Sequence, residues 1–201
     1  MLHLLCLLVL ADPIQPMFVP EAFSLAPYAS LVVPPDEFPE LEYTYVEANY
    51  VWSDSNLTND NLNGWSLTGS FELPFNIFVQ GTVLDVMSDA DLTTYKLGAG
   101  WHFGFLRRFD AYGILSYAHA ELDNSNNNFS SDGATGELGV RMLVVKSLEV
   151  NGRFLYQDIE DSNSGGGVGA RFYFTDSLSV GGNYDSIGSD QTATAGMRFE
   201  F

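Results

Sequence analysis

His119, Glu121 and Asp123 are the residues whose types and spacing come nearest to acid–base chemistry, an imidazole followed by two carboxylates at alternate positions. Hydrolysis at such a group also needs a nucleophile for the histidine to activate. No such residue stands at a recognisable spacing from His119, so the cluster predicts a histidine at the base of a polar connection and no catalysis. A second candidate, Asp158-Ile-Glu-Asp-Ser-Asn-Ser164, gathers the hard oxygen donors that Ca²⁺ or Mg²⁺ accept. It lacks EF-hand spacing, and its plainer reading is a solvated loop that at most holds divalent ions loosely. Cys6 is the only cysteine, which excludes an intrachain disulfide and a cysteine-based metal centre. The sequence implies no catalytic residue, dedicated metal site or cofactor.

A third set is spread along the chain. Glu47, Lys96, Glu137, Arg141, Arg153, Arg171 and Arg198 each sit on the polar face of an alternating run otherwise rich in Gly, Ser and Thr. Charges of both signs among small residues suit a confined interior in which they neutralise one another. The chain as a whole carries 26 acidic and 8 basic residues, a formal charge of −18, which excludes a nucleic-acid partner because phosphate binding needs clustered Lys and Arg.

The elements that position these residues are strands. With 46% apolar and 17% charged residues the chain can build a folded core. No stretch reaches the roughly 18–20 apolar residues of a membrane-spanning helix. Beyond residue 41, apolar and polar residues alternate in ten runs: 41–52, 62–73, 77–86, 92–105, 111–121, 134–145, 148–158, 166–175, 178–185 and 191–201. Short connections at 74–76, 106–110, 146–147 and 176–177 alternate with longer polar ones, the mark of an up-and-down meander. Basic Arg107, Arg108 and Lys146 fall in the short connections. The longer ones are assigned Asp54, Asp60, Asp85, Asp89, Asp91, Glu121, Asp123, Asp132, Asp158, Glu160, Asp161, Asp185 and Asp190, with no basic residue among them.

The fourth run shows the two faces. Thr93, Tyr95, Leu97, Ala99, Trp101, Phe103 and Phe105 share one; Thr94, Lys96, Gly98, Gly100, His102 and Gly104 share the other. A soluble sandwich would turn its charged face to water, whereas a greasy face opposite a small polar one places lipid outside and the polar set within. Hydrocarbon offers no partner to a sheet edge, so such a sheet must close. The expectation is an all-β fold: a closed antiparallel up-and-down transmembrane barrel of about ten strands. The third and fifth runs fit least well, because Phe78, Leu84, Tyr112 and Ile114 fall on the face that Gln80, Thr82 and Ser116 assign inward. Seven lumen glycines, Gly98, Gly100, Gly139, Gly167, Gly169, Gly181 and Gly196, favour the alternative of a small-solute pore.

Upstream, residues 1–11 form an apolar signal-like segment ending Val9-Leu10-Ala11, which fits the small-x-small cleavage rule. Residues 12–40 hold seven of the eight prolines and predict a leader or linker; the barrel is assigned to 41–201.

The terminal Ala195-Gly-Met-Arg-Phe-Glu-Phe201, with Phe199 and Phe201 on an alternating last strand, resembles the sorting signal read by the outer-membrane barrel-assembly machinery. Tyr43-Thr-Tyr-Val-Glu-Ala-Asn-Tyr50, Asn63-Gly-Trp-Ser-Leu-Thr-Gly-Ser-Phe71, Tyr95-Lys-Leu-Gly-Ala-Gly-Trp101 and Ala170-Arg-Phe-Tyr-Phe-Thr-Asp176 resemble the small porin-like barrels of proteobacteria. Nearest is the family labelled sulfation-dependent quorum factor, with opacity-protein and OmpA-like barrels more distant. The resemblance implies export through the periplasm to the bacterial outer membrane, with lipid and lipopolysaccharide as surroundings. The expected role is structural or surface-interacting, the lumen largely filled by side chains. A narrow pore is the alternative, and a soluble β-sandwich binding module a distant third.

Overall fold

The computed structural model describes residues 39–54, 61–87, 91–106, 108–124, 127–159 and 162–201. They form ten antiparallel strands: β1 (Tyr45–Asp54), β2 (Asn61–Leu73), β3 (Ile77–Met87), β4 (Asp91–Leu106), β5 (Phe109–Asn124), β6 (Asn127–Val145), β7 (Leu148–Asp158), β8 (Ser162–Tyr173), β9 (Leu178–Ile187) and β10 (Asp190–Glu200). Each pairs with its sequence neighbours, and β10 pairs with β1 from Tyr45↔Glu200 to Asp54↔Gln191, which closes the sheet. An all-antiparallel, ten-stranded closed barrel is therefore the fold.

Closure satisfies the backbone of every strand on both sides, so the faces are free to differ in polarity. They differ sharply. Large apolar side chains point outward from every strand: Leu115 is 78% exposed, Leu97 69%, Leu138 64% and Val168 63%. Toward the end with the short turns, this face carries Phe71, Trp101, Phe103, Phe105, Phe172, Phe174, Phe199 and Phe201; ring centroids in Phe103–Phe105, Phe172–Phe174 and Phe199–Phe201 lie 4.9, 5.3 and 5.0 Å apart. Toward the other end it carries Tyr50, Trp52, Trp65, Tyr95, Tyr117, Tyr156 and Tyr184, aromatics with a polar handle.

The strands reach further than their sequence pattern marks. Strand β5 runs on to Asn124 through Asp123, β6 begins at Asn127, and Asp54, Asp91, Asp132 and Asp190, outside the runs, also belong to strands; Asp85, Glu121, Asp158 and Asp185, placed both in runs and in the longer connections, are strand residues. Backbone pairing is indifferent to side-chain polarity, so ladders continue past the point where the apolar alternation stops. Asp60, Asp89, Glu160, Asp161, residues 1–38 and the short-turn Arg107 lie outside the described residues. The first run is corrected in the opposite sense, because β1 begins at Tyr45 rather than Leu41.

Phe78, Tyr112 and Ile114 do face the interior. Phe78 is 1% exposed and Ile114 8%, and both pack with Tyr43 and Tyr112. The inward face of β3 and β5 is thus apolar at Phe78, Tyr112 and Ile114, polar at Gln80, Thr82 and Ser116, and apolar again at Leu84, which lines the lumen cavity.

Candidate functional site

Residues of inward parity converge on one lumen cavity of about 310 Å³, whose lining includes Glu47, Lys96, Glu137, Arg141, Arg153, Arg171 and Arg198. The structure divides these seven among three clusters.

In the first, Glu47 Oε2 accepts hydrogen bonds from Arg171 Nη2 at 2.9 Å and Arg198 Nε at 2.6 Å. Glu47 and Arg198 are direct partners in the β1–β10 ladder, whereas Arg171 reaches in from β8. Arg171 also donates to Ser179 Oγ at 3.3 Å, and the Arg198 guanidinium lies 3.8 Å from the Tyr45 ring centroid, a cation–π contact.

In the second, Arg141 grips Glu149 in a two-pronged pair, Nε to Oε1 and Nη2 to Oε2 both at 2.9 Å. Both residues are buried, and Tyr173 adds a hydroxyl donor to Glu149 Oε2 at 2.7 Å. The remaining Nη1 of Arg141 donates to the Glu42 carbonyl at 3.0 Å.

In the third, Arg153 takes both oxygens of Asp185 at 2.8 and 2.6 Å and stands 3.8 Å from Glu137, which accepts the Tyr112 hydroxyl at 2.5 Å. Lys96, on β4, lines the same cavity as these groups. Opposite charges thus meet at close range throughout the lumen, where low dielectric strengthens each contact and would penalise an unpaired ion.

Glu149, Asp185 and Tyr173 were missed by sequence reasoning. Glu149 shares parity with Arg153, so alternation alone could have found it. Asp185 was counted with the acidic connections as well as at the end of the run 178–185; β9 continues to Ile187, and the Asp185 carboxylate meets Arg153. A further group was also missed: His102 places Nε2 3.0 Å from Glu72 Oε1 and Nδ1 3.1 Å from Asp110 Oδ2, with its ring stacked at 4.1 Å on Tyr43.

Side chains from neighbouring strands cover several of the lumen glycines. Arg153 and Asp185 meet across Gly167, where an added Cβ would lie 1.9 Å from Asp185 Oδ1. The Phe78 ring lies over Gly100, 2.3 Å from where a Cβ would stand. Tyr112 covers Gly139 in the same manner, and Ser116 lies over Gly98. These positions are small because a neighbour's side chain crosses them.

Near the far rim, outside the apolar belt, His119 points outward. Its Nδ1 lies 2.6 Å from Asp132 Oδ1 and its Nε2 3.1 Å from Glu121 Oε1; Tyr117 also donates to Asp132. Asp132, brought alongside by the β5–β6 ladder, is the carboxylate that completes this group, and the side chain of Asp123 lies outside the described residues. With both ring nitrogens engaged by carboxylates, the imidazole is held as an ion-pair partner rather than poised as a base. The hydrogen bond to Asp132, and then that to Glu121, raise the His119 pKa above its ordinary value. Any stability from this contact is therefore complete below the ordinary histidine range and is lost as pH rises through the raised value. Asp132→Asn is expected to move the His119 titration downward in an NMR pH series; an unchanged titration would show that the contact does not form in solution.

No family model matches the chain, and no curated protein matches it. Among solved structures, the chain is similar to the KdgM porin, with a TM-score of 0.48 at 9% identity over 79% of this chain and 99% of that one. It is similar to the NanC porin, with a TM-score of 0.49 at 6% identity over 78% and 100%. It is also similar to the N-terminal β-barrel domain of Pseudomonas aeruginosa OprF, with a TM-score of 0.44 at 14% identity over 79% and 98%.

Proposed function

We propose that this barrel spans the bacterial outer membrane, that it arrives by export through the periplasm, and that its role there is structural or surface-interacting, without enzymatic activity. The observation that carries the reading is the inversion of polarity around a closed sheet. Large apolar side chains are exposed on all sides while paired charges occupy the interior. Soluble monomers rarely expose contiguous apolar surface beyond a few hundred Å², whereas a hydrocarbon surround makes such a face favourable.

The two aromatic groups fit the two interfaces of a bilayer, with Tyr and Trp toward the acidic rim and mainly Phe toward the short turns. In this reading Phe199 and Phe201 of the last strand engage the barrel-assembly machinery. The outward carboxylates at the rim face lipopolysaccharide, with divalent ions loosely bridging the two. The narrower likeness to the family labelled sulfation-dependent quorum factor rests on the sequence motifs alone. A narrow pore for small solutes is the second reading, and the lumen cavity is what favours it.

Leu115 lies between the two aromatic groups and gives a sharp test. In hydrocarbon, Leu115→Arg is expected to destabilise the barrel by about 2–4 kcal/mol, as charged substitutions do on a lipid face. On a water-facing surface the same change stays within about 0.5 kcal/mol. Unfolding from lipid vesicles, followed by tryptophan fluorescence, measures the difference. Outer-membrane fractions run with and without boiling give the companion result: a heat-dependent mobility shift supports the reading, and an unshifted protein in the soluble fraction would overturn it.

A further inference from the structure

The stretch 41–44 continues the alternation of β1 in sequence yet leaves the ladder in space. Leu41 and Tyr43 turn inward and are buried, Tyr43 to 3% exposure. The Tyr43 ring meets side chains from four other strands: Phe78 on β3 at 4.7 Å between centroids, His102 on β4 at 4.1 Å, Tyr112 on β5 at 6.3 Å and the Arg141 guanidinium on β6 at 4.9 Å. One side chain upstream of the first strand therefore crosses the lumen at the end that carries the short turns. It caps the apolar layer of Phe78, Ile114 and Tyr112.

Two features set this segment apart from the wall. Its main chain lies outside the strand ladders, which begin at Tyr45: Thr44 binds the Phe201 and Glu72 amides through its carbonyl and hydroxyl, while upstream of it the Glu42 carbonyl bonds to Arg141. Its inserted state also leaves polar atoms unsatisfied. Among the described residues, the Tyr43 hydroxyl and Asp110 Oδ1 are buried side-chain atoms with no partner at hydrogen-bond geometry. Withdrawal would hydrate both atoms and give up ring contacts, so the two states oppose comparable terms.

We propose that residues 41–44 form a stopper which leaves the lumen intermittently and converts an occluded barrel into a path for small hydrated ions. With the ring withdrawn, the layer above presents the charged groups of Arg141, Glu149, Glu47, Arg171 and Arg198, which line the lumen cavity or its edge. The proposal rests on the membrane reading above, and heat-dependent mobility tests that reading separately.

The test is single-channel recording of the full chain in planar bilayers. Wild type is expected to be closed with brief openings. Leu41→Gly/Tyr43→Gly is expected to raise open probability by about tenfold or more at the same unitary conductance. Tyr43→Phe keeps the ring, removes the unsatisfied hydroxyl and retains the fold even if the double variant does not; it is expected to lower opening frequency by about tenfold. A wild type that never opens, or one that stands permanently open, overturns the proposal. So does a heat-shifting double variant as closed as wild type, or a Tyr43→Phe barrel that opens as often as wild type.

Discussion

Arg141→Ala is expected to destabilise the barrel by about 3–5 kcal/mol, the penalty for stranding one member of a buried ion pair. The stranded group is Glu149, which is 2% exposed and, among the described residues, would retain the Tyr173 hydroxyl as its side-chain donor. The same substitution removes the cation over the Tyr43 ring and the donor to the Glu42 carbonyl, so it loosens segment 41–44 as well as the wall. Urea unfolding of the vesicle-inserted barrel measures the loss. Arg141→Leu combined with Glu149→Leu is expected to cost less than Arg141→Ala alone, because a buried pair exchanged for apolar groups of similar size is often close to neutral. A single substitution costing under about 1 kcal/mol would place this pair with the weak, solvent-screened kind.

Glu47→Ala is expected to be of similar size, about 3–5 kcal/mol, for a different reason. One carboxylate oxygen serves two guanidiniums, and they are unequally placed to survive its loss. Arg198 keeps the Tyr45 ring and Glu200 Oε1 at 3.7 Å, whereas Arg171 is left with the Ser179 hydroxyl. Most of the penalty should therefore come from Arg171. Replacing Arg171 by Met in the Glu47→Ala background is expected to restore stability, while replacing Arg198 restores little. Equal rescue by the two arginine substitutions would refute this ordering, and no rescue by either would show that the cluster is not electrostatically coupled.

The period-two alternation was legible across most of the chain, since a strand cannot change which face a residue occupies without a bulge or a slip. Lys96 could be assigned inward from the residues flanking it, and so could Arg141, Arg153 and Arg198. Phe78, Tyr112 and Ile114 conflicted with the expectation of an all-polar interior. Their positions follow from the same parity, and their purpose emerges only when Tyr43 is seen against them. The lumen glycines misled in the opposite way. Scattered inward glycines read as open space, but at Gly167 and Gly100 the side chains of Asp185 and Phe78 lie over them.

By itself, the sequence determined the strand count, the antiparallel order, the split between a greasy and a polar face, and the concentration of carboxylates toward one end. These follow from local periodicity and from the length of each connection, which neighbouring residues already encode. Only the tertiary structure decided which charge meets which. Arg171 finds Glu47 from 124 residues away, and Arg153 finds Asp185 two strands over. Closure also decided the fate of residues 41–44. Their alternation is identical to that of the strand they precede, and they turn inward because Phe78, His102, Tyr112 and Arg141 come together from four separate strands only once the barrel has closed, giving one aromatic ring a place to pack.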